Sequence, residues 1–153
     1  MVHNEAELQL TPRLVGSLYT EAMVLADEAR AYFDRFGRDE RDGLDPVLRV
    51  GFSCESLKVT TRLMHVIAWL LTQRAVDAGE LRPRDALDPS RRLGEAPVSD
   101  FASVRPLPVR AQTLIEASAD LHRRVARLDA AQGSASPPAS AVRSMQERLA
   151  LAF

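Results

Sequence analysis

The sequence predicts an all-α protein: an antiparallel three-helix bundle with a long loop between its second and third helices and a flexible C-terminal tail. Three observations point there. The chain of 153 residues is 46% hydrophobic but only 5% aromatic, so its apolar mass is mostly Ala, Leu and Val, which favours helix over sheet. Its seven glycines and nine prolines leave three long stretches free of both, Ser17–Phe36, Phe52–Ala78 and Val109–Gln132. Within those stretches apolar residues recur at steps of three and four, the helical period. The length suits a single domain, with residues 1–132 forming the bundle and 133–153 a linker and amphipathic tail.

Each helix has start and stop signals. A proline stands near each start, and the first two follow good capping residues, Thr11-Pro12 and Asp45-Pro46. Each stretch ends at a glycine, Gly37, Gly79 or Gly133, where a left-handed C-cap is expected. The first helix aligns Val15, Leu18, Ala22, Leu25, Ala29, Phe33 and Phe36 on one face. The third carries the narrower stripe Leu114, Ser118, Leu121, Val125 and Leu128. The second is different. Phe52, Leu57, Val59, Leu63, Met64, Val66, Ile67, Leu70 and Leu71 spread over about half its circumference at roughly 100° per residue. A helix packed on one neighbour needs less, so this one is expected at the centre, touching both other helices and a second subunit.

The connections add detail. Gly37–Leu44 is short, making the first two helices antiparallel neighbours. Glu80–Leu107 is long enough to cross the bundle and is expected to pack along it. Its five arginines and five acids cancel, so it is not a basic arm. Ser134–Ser140 has nothing to bury and reads as a linker. Beyond it Val142, Met145, Leu149 and Phe153 fall on one side of a helix, a tethered apolar peptide that either covers the bundle or docks on a partner.

Several functions are excluded. A net charge of −1 supplies no field for nucleic acid or anionic membrane. No stretch approaches the ~20 apolar residues of a membrane span, and Met1–Glu5 lacks the features of a signal peptide, so a cytoplasmic location is expected. His3, His65 and His122 are scattered, Cys54 stands alone, and the glycines are isolated. No metal, cofactor or catalytic constellation is expected. The arginines of the third helix alternate with Glu116, Asp120 and Asp129, and Asp120 is spaced to pair with Arg124. That reads as a solvated face.

One position is out of place. The only tryptophan, Trp69, lies outside the apolar arc, among Lys58, Arg62, His65, Gln73 and Val76. Either the long loop covers it or it is presented to a partner, since Trp and Arg are enriched at binding hot spots. Arg62, His65, Trp69, Gln73 and Val76 therefore form the candidate partner-binding surface.

In the second helix, Glu55-Ser56-Leu57-Lys58-Val59-Thr60-Thr61-Arg62-Leu63-Met64, then Trp69-Leu70-Leu71 and Gln73-Arg74-Ala75-Val76, the chain resembles the alphaproteobacterial family of the regulator of CtrA degradation, RcdA. Glu21-Ala22-Met23 and Tyr32-Phe33-Asp34 in the first helix, and Leu121 through Leu128 in the third, add to the resemblance. It implies a dimeric three-helix bundle without catalytic activity. It also implies an adaptor that helps deliver cell-cycle regulators to the ClpXP protease by bridging unfoldase and cargo, with a flexible C-terminal tail. A DNA-associated regulator using the arginines of the third helix, or a small ligand-binding protein with a pocket beside the second helix, are the competing readings.

Overall fold

The computed structural model describes residues 10–135 and 146–152. Pro12 occupies the first turn of α1 (Pro12–Ala31), and the Thr11 hydroxyl accepts the Leu14 amide at 3.1 Å, the expected cap. α1 runs into a π-helical turn, Tyr32–Phe36, and then into a short α2, Arg38–Asp42. α3, Pro46–Asp77, is the longest element. Two 3₁₀ turns, Asp85–Leu87 and Pro89–Arg91, and the single-turn α4, Phe101–Val104, lie along the connection to α5, Val109–Ala135. Residues 146–152 form α6, an exposed helix.

The fold is all-α, but it is not the expected simple three-helix bundle. Among the described residues there are six α-helices, four of them seven residues or longer. The directions also differ from an all-antiparallel bundle. Phe33 meets Phe52 edge to face, and Arg74 lies over the Tyr19 ring, so α1 and α3 run antiparallel. Arg62 meets Ser118, Trp69 meets Asp129 and Gln73 meets Gln132. Those numbers rise together, so α3 and α5 are parallel. Glycine and proline positions mark helix ends but carry no direction, which is set by the connection. The Glu80–Leu107 segment returns the chain along the whole of α3 before α5 can start.

The core lies where the three long helices meet. Val15, Leu18, Ala22 and Ala29 of α1, Val59, Leu63, Val66 and Leu70 of α3, and Ile115, Leu121 and Val125 of α5 are all buried. Tyr32, Phe33 and Phe52 close one end as an aromatic cluster. The π-helical turn changes which residues join it. Tyr32 and Phe33 keep the three–four spacing from Ala29 and face inward, whereas the added residue of the turn rotates the side chains beyond it, and Phe36, expected in the core, is 64% exposed. Tyr32 donates to Glu40 of α2. Burial, reinforced by that carboxylate, pushes its phenol well above the ordinary tyrosine range.

The three glycines expected as C-caps behave differently. Gly79 has φ +74° and ends α3 as expected. Gly37 has φ −86° and is required by proximity. A Cβ there would stand 2.8 Å from the Tyr32 carbonyl oxygen and 2.9 Å from its ring. Gly133 lies inside α5, beneath the Arg92 guanidinium, and the helix continues past the expected boundary at residue 132.

Gly37→Ala is expected to destabilise the fold by about 1–3 kcal/mol, because its obstacles are a backbone carbonyl and a buried ring. Gly16, inside α1 with nothing within 4 Å of a built Cβ, has the opposite expectation. Gly16→Ala should stabilise by roughly 0.5–1 kcal/mol. Denaturant midpoints of the two variants check both signs.

Candidate functional site

Along one side of α3, Glu55, Lys58, Arg62, His65, Trp69 and Gln73 succeed one another at helical steps. Arg62, His65, Trp69 and Gln73, with Val76 a step further on, are the candidate partner-binding surface, for which the sequence leaves cover by the long loop as the alternative. The structure covers this stripe with the chain's own connection. Arg62, Trp69 and Gln73 are 2%, 2% and 3% exposed, while His65 and Val76 are half-buried. The connection descends α3 in register as a strap. Gly94 lies on the His65 ring, Pro97 meets Arg62, Val98 meets Lys58 and Ser99 meets Glu55.

The bonding explains why these polar residues are inside. Arg62 Nη2 donates to the Pro97 carbonyl at 2.9 Å and to Ser99 Oγ at 2.6 Å. Arg62 Nη1 donates to Ser118 Oγ of α5 at 3.3 Å. Ser99 in turn donates to Glu55, whose other oxygen takes the Lys58 ammonium at 3.0 Å. Burial lowers the affinity of the Arg62 guanidinium for its proton, and the Glu55 charge opposes that shift. Two turns further on, Trp69 Nε1 and Arg92 Nε both donate to Asp129 Oδ1, at 2.9 and 2.8 Å. That bond raises the Arg92 guanidinium above its ordinary range. His122 Nε2 donates to the Gly94 carbonyl at 2.9 Å.

A helical wheel separates apolar from polar positions but does not say whether solvent or a strap faces the polar ones. Asp129, expected on a solvated face, is half-buried for the same reason. Ser99, Ser118 and Asp129 were not legible as partners because each is joined to α3 only through tertiary structure. The expected Asp120–Arg124 pair is present at 3.0 Å, and Arg124 also reaches Glu21 of α1.

The surface left free is on the opposite side of α3. Val47, Val50, Cys54, Leu57, Met64, Ala68 and Leu71 keep to a three–four repeat, pointing away from Val59, Val66 and Leu70 at about 100° per residue. Val50 is 64% exposed, Leu57 69%, Met64 63% and Leu71 48%. Thr61 fills the step between Leu57 and Met64 within this stripe, Thr60 and Thr72 flank it, and each hydroxyl donates to a carbonyl one turn back in α3. Their polar groups are thus satisfied within the helix. Beside it, Ala26 and Arg30 of α1, Phe33 of the π-helical turn, and Met64 and Ile67 of α3 line a groove of about 320 Å³. The breadth of the apolar arc was the sequence signal for this face; which part would remain exposed depended on where α1 and α5 packed.

Of the tail residues, Leu149 lies on α6 and is 56% exposed; Val142, Met145 and Phe153 lie outside the described residues. No group of three or more His, Cys, Asp or Glu side chains among the described residues could hold a metal ion. No described helix is long and apolar enough to cross a membrane.

The protein is thus an all-α scaffold whose inner polar groups bind its own strap and whose central helix shows an apolar stripe to the outside. The chain matches the family described as a protein of unknown function, DUF1465, over residues 6–153. It is also similar to the crystal structure of RcdA from Caulobacter crescentus CB15, with 34% identity and a TM-score of 0.64, covering 80% of this chain and 92% of that one. No curated protein matches it. The chain belongs to the DUF1465 family and to the family of RcdA.

Because Trp69 is interior, its native fluorescence should be blue-shifted and shielded from acrylamide. Trp69→Ala should cost about 3–5 kcal/mol of folding stability. Solvent-like native emission would contradict the covered stripe.

Proposed function

We propose that the chain is a cytoplasmic homodimeric adaptor that brings cell-cycle regulators to the ClpXP protease, bridging unfoldase and cargo. The observation that carries this reading is the exposed apolar stripe of α3 in a chain 34% identical to RcdA. A three–four apolar repeat on a straight helix is the surface that pairs with a second helix, and pairing with its own copy needs only a two-fold axis.

In this reading the stripe holds the twin, and the tail residues Val142, Met145, Leu149 and Phe153 engage a further partner. An adaptor works by raising the concentration of cargo near the protease, which needs two modest surfaces and a tether rather than chemistry. The apolar residues Leu149 and Leu151 exposed on α6, at the end of a Ser/Pro/Ala-rich linker, suit such a tether.

Leu57→Glu should leave the helical content unchanged, since Leu57 is exposed, while weakening self-association at least about tenfold, roughly 1.4 kcal/mol. Sedimentation equilibrium measures this, and unchanged association would refute the stripe as the dimer contact. Truncation after Ala135, where α5 ends, should preserve folding and dimerisation but abolish cargo delivery in a reconstituted ClpXP degradation assay. Undiminished delivery would remove the tail from the mechanism.

A further inference from the structure

At the C-terminal end of α3 lies a cleft of about 400 Å³, bounded by α5 and by the first turns of the strap. Val76, Pro83, Ala86 and Leu87 supply its apolar lining, and Gln73, Gln132 and Arg84 its polar lining. Gln73 Oε1 accepts the Gln132 amide at 3.0 Å. Gln73 Nε2 is buried and has no partner. Among the described residues only one other buried side-chain nitrogen or oxygen lacks a partner, His65 Nδ1, and it lies under Gly94 rather than on a cleft. Arg84 is exposed and makes no ion pair among the described residues.

We infer that this cleft is a binding site for a small apolar carboxylate, unconnected with the outer face of α3. An unpaired donor in an apolar recess is satisfied by an acceptor that arrives with its own apolar body. Gln73 Nε2 offers a hydrogen bond to the head group, and Val76, Ala86 and Leu87 take a short hydrocarbon chain. Arg84 sets the sign of the charge. A cation is opposed there, and a neutral alcohol gains only the hydrogen bond. The volume is at the lower end of the range for small-molecule sites, which limits the ligand to a short chain or a single ring.

Octanoate, octanol and octylammonium are the probes, titrated into the full-length protein. Octanoate is expected to bind saturably, with a dissociation constant on the order of 1 mM or tighter, and to shift the Gln73 side-chain amide resonances in ¹⁵N-correlated NMR spectra. Octanol should bind more weakly, and octylammonium more weakly still. Gln73→Leu keeps the packing volume and removes the donor; it should weaken octanoate at least about tenfold. Arg84→Ala, at an exposed position, tests the charge without threatening the fold and should weaken octanoate by roughly threefold. Three outcomes would each overturn the site: no saturable octanoate binding, octylammonium binding as well as octanoate, or octanoate binding without movement of the Gln73 amide signals. Equal octanoate affinity in wild type and Arg84→Ala would overturn the carboxylate specificity.

Discussion

The architecture depends on a charge placed in the interior. The Arg62 guanidinium is 2% exposed, and removing such a group from water carries a large penalty unless its donors are bonded and its charge is balanced. Its partners come from three places: Glu55 from the same helix acts through Ser99, the Pro97 carbonyl and Ser99 hydroxyl come from the strap, and Ser118 comes from α5. None of these alone satisfies the guanidinium. Strap, α3 and α5 must be in place together, which makes the closing of the bundle cooperative. The Trp69–Asp129–Arg92 cluster repeats the arrangement two turns along, with an indole N–H in place of the buried charge.

This internal use of polarity leaves the outside of α3 apolar. A helix at the centre of three layers has three sides to satisfy. In α3 the core takes one, the strap takes the second, and the third carries Val50, Leu57, Met64 and Leu71 to the surface. Scattered exposed apolar residues are ordinary, whereas a regular stripe along one helix marks a contact surface.

Helix positions were legible in the sequence because Gly, Pro and the three–four repeat are local signals. Thr11 capping α1 and Gly79 ending α3 come directly from residue chemistry. Topology was less legible. The return of the chain that makes α3 and α5 parallel depends on the path of the strap, which no periodicity encodes. Trp69 was recognised as anomalous, yet only its contact with Asp129, sixty positions away in sequence, decides that it is interior. Phe36 moved outward through a π-helical turn that the pattern of α1 does not announce. Gly37 and Gly133 were read as caps because glycine at a helix end usually serves that purpose; here each is small because something passes close to it.

Between Gly94 and Ser99 the strap is held chiefly by its backbone. Arg62, Lys58 and His122 bond the carbonyls of Pro97, Val98 and Gly94, groups that every amino acid carries. Sequence drift in this segment is consequently cheap, while drift in the residues that grip it is not. Within that stretch Ser99 is tied by its hydroxyl, and Gly94 by the 2.7 Å separation that a Cβ would have from the His65 ring. The same grip would hold a different sequence at residues 95–98 without a change of architecture.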